Sequence, residues 1–204
     1  DVVNLLLEAD PSVEHVRAAA KNGFTALIAA SGQGNPDVVR LLLEADPSVE
    51  HVRAVDKYGR TALMVASMQD NTGVVELLLK ADPSVEHVRA ADKNGQTALI
   101  SASHPGNKDV VELLLEADPS VEHVRAVANN GVTALMYASG QGNLDVVRLL
   151  LEADPSVEHV RAVDKNGHTA LIVASINGST DAVELLLEAD PSVEHVRAVD
   201  KNGH

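Results

Sequence analysis

The sequence has no cysteine, no tryptophan and only three aromatic residues in 204: Phe24, Tyr58 and Tyr137. Without cysteine it can build neither a disulfide framework nor a thiolate metal centre. That absence fits any compartment, with the cytoplasm as the default. Hydrophobic residues still make up 45%, so Leu, Val, Ala and Ile must form the core, which suits small helices packed in layers. No apolar run exceeds five residues, far short of the roughly 20 needed to cross a bilayer. Cations are scarce: 16 Lys and Arg stand against 30 Asp and Glu, a net charge of −14. Nucleic-acid binding needs clustered cations, and the same deficit argues against anionic membrane surfaces. The acidity favours solubility and speeds encounter with a partner that carries a basic patch.

What the sequence does have is a 36-residue period without insertion or deletion. Asp-Pro-Ser-Val-Glu-His-Val-Arg-Ala begins at Asp10, Asp46, Asp82, Asp118, Asp154 and Asp190. A fixed period of this size means stacked supersecondary units, each burying its apolar face on its neighbours. The reading is a single array over residues 1–204. It comprises a partial repeat 1–19, full repeats 20–55, 56–91, 92–127, 128–163 and 164–199, and a stub 200–204. The chain opens inside a repeat and without methionine, which points to a fragment or processed form. A linear stack has no central cleft, so the expectation moves from catalysis to a binding surface.

Each unit can be read in order. An Asn-Gly turn, as at Asn94-Gly95, supplies residues that tolerate positive φ. Thr61 and its counterparts sit at a helix N-cap, and Ala62–Ala66 forms a short helix that is apolar on most sides. Gly34, Gly106, Gly142 and Gly178 close this helix in a left-handed C-cap. In the second helix Asn35 caps and Pro36 takes the first position. Val38, Leu41, Leu42 and Ala45 follow i, i+3, i+4, i+7 spacing, and Val39 and Leu43 make a second apolar row. A helix apolar on two sides lies between neighbours. Asp46-Pro47 then reads as the cap of a short third helix or 3₁₀ turn carrying Val49 and Val52.

The succession Asn-Gly-x-Thr-Ala-Leu-Ile/Met-x-Ala-Ser, Gly-Asn-x-Asp-Val-Val-x-Leu-Leu-Leu-Glu-Ala and Val-Arg-Ala-Val-Asp-Lys-Asn-Gly resembles the ankyrin repeat over the whole chain. The resemblance implies an all-α solenoid of helix-turn-helix repeats, with the extra short helix or 3₁₀ turn added in each unit. Three departures stand out. Thr-Pro-Leu-His becomes Thr-Ala-Leu-Ile or Thr-Ala-Leu-Met, as at Thr25–Ile28 and Thr61–Met64, trading a polar tie for apolar packing. The usual 33-residue period becomes 36, which alters curvature and twist. No polar capping repeat closes either end, so Val2, Val3, Leu5 and Leu6 predict end-to-end self-association or a longer parent array.

In proteins of this family the hairpin tips and the exposed side of the first helix form the concave partner-binding surface, and variation between units concentrates on those elements. The residue before the Thr reads Phe24, Arg60, Gln96, Val132 and His168, and the turn tip becomes Tyr58 in one unit. A first-helix column reads Ala29, Val65, Ser101, Tyr137 and Val173. Just beyond it come Gly32, Met68, His104, Gly140 and Ile176. All three aromatics fall in variable columns, and aromatics are common anchors of interfaces. The candidate partner-binding residues are therefore Phe24, Tyr58, Arg60, Met68, Gln96, Ser101, His104, Val132, Tyr137, His168 and Ile176.

The column His15, His51, His87, His123, His159 and His195 invites a metal or a pH sensor. Units stacked about 8–10 Å apart cannot place neighbouring imidazoles on one zinc, whose ligands lie about 2.0–2.1 Å away. These histidines read as exposed or hydrogen-bonded residues beside Glu and Arg, with acid softening of the array as the consequence to test. Ser103-His104 lacks an orienting acid, and Gly32-Gln33-Gly34 and Gly140-Gln141-Gly142 lack the rest of a phosphate loop. The expectation is a non-enzymatic scaffold without cofactor or metal, binding a protein or peptide on its concave face. The competing expectation is a structural or self-assembling rod, engineered or recently duplicated.

Overall fold

The computed structural model describes residues 13–192 and Lys201. The apolar residues at the N-terminal end, His15's side chain, His195 and Gly203-His204 lie outside the described residues. After a short helix at Val13–Arg17, each of the five 36-residue periods contributes two helices, and the first four add a one-turn third among the described residues. The first helices are Ala26–Gly32, Ala62–Met68, Ala98–Ser103, Ala134–Gln141 and Ala170–Asn177. The second are Pro36–Ala45, Thr72–Ala81, Lys108–Ala117, Leu144–Ala153 and Thr180–Ala189. The third are Val49–Val52, Val85–Val88, Val121–Val124 and Val157–Val160. Among the described residues there is no strand, and the architecture is an all-α repeat stack consistent with a solenoid.

The local signals act as their chemistry requires. Thr25, Thr61, Thr97, Thr133 and Thr169 each accept, through the side-chain hydroxyl, the backbone N–H three residues on. One orphan donor at each helix start is satisfied in this way. Where the sequence trades His for Ile or Met, Ile28, Met64, Ile100 and Met136 are buried between units. Leu27, Leu63, Leu99 and Leu135 beside them are fully buried. From the second helices, Val75, Leu78, Val111, Leu114, Val147 and Leu150 have no exposed surface. The core is therefore a row of aliphatic layers, as the shortage of aromatics demands.

One reading of the third helix is corrected. Its cap is Ser48, which accepts the N–H of His51 at 3.3 Å, with the same arrangement at Ser84, Ser120 and Ser156. Asp46 instead ends the second helix and turns its side chain to the preceding repeat, where Arg17 donates through Nε to Oδ2 at 2.5 Å. Second-helix caps also depend on place. Asn35 accepts Val38 N–H, whereas Asn71, Asn107 and Asn143 make no cap bond and donate to the carbonyls of Ser31, Ser67 and Ser103 in the first helix of the previous unit. With a neighbour behind it, the amide does more good bridging two units than closing one.

The hairpins stack through the backbone. Lys57, Lys93, Asn129 and Lys165 each donate an N–H to the carbonyl of the preceding tip residue, at 2.7 to 3.0 Å. This contact dictates glycine at the turn: Gly131 has φ +83, and a Cβ there would sit 2.9 Å from Asp164 Cα. The first-helix end makes a parallel demand, met by glycine at Gly34, Gly106, Gly142 and Gly178. Asp70 carries the same turn at φ 58 with a side chain attached.

Candidate functional site: the hairpin and first-helix groove

The hairpins come in two chemical versions. In three units the turn opens with Asp56, Asp92 or Asp164, whose Oδ1 accepts two backbone N–H groups, those of Tyr58 and Arg60 in the first case. In the other two the Asp is replaced by Ala20 or Ala128, and the tip amides Asn22 and Asn130 accept the N–H of Phe24 and Val132 instead. The residue before the Thr follows suit. Opposite Asp it is Arg60, Gln96 or His168; opposite Ala it is Phe24 or Val132. Arg60 forms a two-pronged ion pair with Asp56 at 2.6 and 2.9 Å, and His168 Nδ1 lies 3.2 Å from Asp164. Burial pushes the Asp56 carboxyl up, but the Arg60 side chain and the backbone donors at Arg60 and Tyr58 outweigh it, leaving the pKa below its ordinary value. Arg60 and His168 thus hold their own hairpins, and Phe24 and Val132 pack against the core.

Seven of the eleven expected contacts converge on one shallow groove of about 620 Å³. It draws Tyr58, Arg60 and Met68 from one unit, Gln96, Ser101 and His104 from the next, and Tyr137 from the third. Phe24, Val132, His168 and Ile176 lie away from it; Ile176 is the most exposed large apolar side chain among the described residues, at 68%. The groove also includes Met64, Val65, Asp92, Asn94 and Pro105, none of them among the eleven. Val65 and Pro105 sit in variable columns, which was the available signal. Met64 alternates only with Ile and Met, and Asp92 recurs, so neither stood out.

The aromatic walls are held in place. Tyr58 is 49% exposed, with Lys57 Nζ 4.8 Å and the Arg60 guanidinium 5.0 Å from its ring centroid. Such cation–π contacts fix a ring that would otherwise swing freely. Tyr137 is half-buried; its hydroxyl accepts from Gln96 Nε2 at 3.2 Å, and His104 meets its ring edge-on at 5.1 Å and 77°. The result is an aromatic and thioether surface with hydrogen-bonding groups along its rim. Ser103 takes no part, because its hydroxyl donates to the Leu99 carbonyl at 2.7 Å.

Charge is divided between the two sides. Hairpins and first helices carry Lys21, Lys57, Arg60, Lys93 and Lys165 against Asp56, Asp92 and Asp164, while exposed Glu44, Glu50, Glu86, Glu116 and Glu122 lie on second and third helices. Along the third helices runs a seam that sequence inspection missed. Arg17, Arg53, Arg89, Arg125 and Arg161 each reach the Asp 29 residues ahead through Nε at 2.5 Å. The same guanidinium also bonds the Ser 31 residues ahead at 2.5 to 2.7 Å. This hydrogen bonding holds the carboxyls of Asp46, Asp82, Asp118 and Asp154 well below the usual range, against the upward push of burial.

The histidine column is corrected as well: His51, His87, His123 and His159 are buried, each only 1% exposed, beside Asp and Arg. Among the described residues no group of His, Cys, Asp or Glu is placed to hold a metal ion. Nor is any helix there long and apolar enough to cross a membrane. A search of curated proteins finds no match. A sequence model of ankyrin repeats in three copies matches residues 1–88, 51–123, 84–161 and 122–197. With matches spanning residues 1–197 and a helical stack in the order that the family implies, the chain belongs to the ankyrin repeat family.

Proposed function

We propose that the chain is a non-enzymatic scaffold whose groove around Tyr58, Met68 and Tyr137 grips a protein or peptide segment. Ankyrin repeats generally mediate protein–protein interaction; the reading assigns that role here to one place. The observation that supports it is convergence: positions that vary in separate units come together in a single groove, with two aromatic rings already braced. Braced aromatics lose little freedom on binding, which favours them as anchors. The groove suits an apolar or aromatic side chain flanked by hydrogen-bonding backbone. A basic patch on the partner would act during approach, drawn by the acidic second and third helices, rather than inside the groove.

The test is selection of binders from a displayed peptide library, followed by titration against the parent chain and a Tyr58→Ala/Met68→Ala/Tyr137→Ala variant whose helicity is checked by circular dichroism. The expected result is a loss of at least tenfold in affinity with helicity unchanged. Equal affinity would defeat the reading and leave a purely structural stack in its place.

A further inference from the structure

The four described histidines of the third helices have no part in the groove, and their surroundings are unusual for a polar side chain. Both ring nitrogens of His51, His87 and His123, and Nε2 of His159, are buried without a protein hydrogen-bond partner. The exception is His159 Nδ1, 2.8 Å from the Asp154 carbonyl oxygen. Burying an unpaired polar group is costly, and burying an unpaired charge far more so. The charged neighbours of each ring are the same pair: Asp46 and Arg17 for His51, Asp82 and Arg53 for His87, Asp118 and Arg89 for His123, Asp154 and Arg125 for His159. The carboxylate would welcome an imidazolium, but the guanidinium already matches it.

The second helix of the following unit packs on each third helix. Its charged residues stand partly or fully exposed: Glu76 and Lys80 on the helix packed against Val49–Val52, Lys108, Asp109, Glu112 and Glu116 on the next, then Asp145, Arg148 and Glu152, then Asp181, Glu184 and Glu188. A proton arriving on any of the four rings therefore adds a buried positive charge next to a pair that is already neutral.

We infer that the histidine column is an acid-sensitive latch, which keeps the stack closed while its rings are neutral and opens it as they take up protons. Burial holds each imidazole below its ordinary pKa. In the unfolded chain the same rings protonate near pH 6.5. Below that value the unfolded state binds more protons than the folded one, so stability falls as pH falls; above it the full stability is present. Each ring multiplies the unfolding constant by up to about tenfold per pH unit below about 6.5, and four rings in one cooperative stack by up to about ten-thousandfold. The Asp carboxylates act in a separate window, below about pH 4, which leaves pH 5 to 7 to the histidines. The inference stands whatever the groove binds.

The experiment is urea unfolding of the full chain at pH 8, 7, 6 and 5, followed by circular dichroism, with imidazole resonances recorded by NMR over the same range. Expected are a midpoint that falls steeply below pH 6.5 and four imidazoles that stay neutral for as long as the chain is folded. A His87→Phe/His123→Phe variant should lose about half of the pH slope. Stability that is flat from pH 8 to pH 5, or the four resonances titrating near 6.5 in the folded chain, would overturn the inference. Should the double variant fail to fold, the resonances of the unaltered chain decide the matter alone.

Discussion

The third-helix seam and the hairpin tips arise from the same 36-residue period, yet they behave oppositely from one unit to the next. Along the seam the Arg Nε to Asp Oδ2 distance is 2.5 Å at all five described junctions, with the same Ser accepting a second bond. At the tips the closure changes between units: by Arg60 on Asp56, by His168 on Asp164, or by Asn22 and Asn130 where Ala replaces the Asp. The seam and the aliphatic layers join units and tolerate one solution, so that solution is copied. The tips face outward, and once the turn is satisfied the residue before the Thr is open to change. Cohesion and variation are thus written in different columns of one repeat.

That division can be broken on the cohesive side first. Leu114→Ala, in a fully buried layer, is expected to cost about 3 kcal/mol in urea unfolding, the usual range for an aliphatic truncation that leaves a cavity. Asp118→Ala removes the acceptor shared by Arg89 and the Ser120 N–H and should cost about 2 kcal/mol, in keeping with lost hydrogen bonds to a charged group. The smallest change is a gain. Asp70→Gly relieves a left-handed conformation that costs a side-chain-bearing residue about 1–2 kcal/mol and gives back about 0.5–1 in chain entropy. Thermal melts should therefore show a net stabilisation of about 0.5 kcal/mol. If groove substitutions such as Tyr58→Ala destabilised the chain as much as Leu114→Ala, the two classes of column would collapse into one.

Much of the fold was legible because its signals are local. Thr61 before an apolar run, Pro36 at a helix start and the spacing of Val38, Leu41 and Leu42 declare their roles within one turn of chain. The seam was not legible, because Arg53 and Asp82 lie 29 residues apart and both recur in every unit. Exact repetition hides whether a residue touches its own unit or the next. The same blindness misplaced Asp46 as a helix cap and left His51 as an exposed or hydrogen-bonded residue, since a Val-Glu-His-Val turn reads alike from either side. The groove was half legible. Tyr58, Met68, His104 and Tyr137 advertise themselves by variation, but Arg60 and His168 vary for a different reason, the Asp or Ala four residues earlier.

The reach of the arginine across each junction has a consequence for how such a chain can be edited. Every arginine link runs forward from one unit to an identical acceptor in the next, and the hairpin amides run back to a backbone carbonyl that any unit supplies, so no unit is tied to a particular neighbour. If residues 92–127 were excised, Arg89 would find Asp154 where Asp118 had been, and Lys93's place on Tyr58's carbonyl would pass to Asn129. The cut would remove Gln96 and His104 from the groove while each remaining joint closed as before. An array wired in this way can be lengthened, shortened or shuffled by whole periods, and a new binding face can be tried without the architecture being solved again.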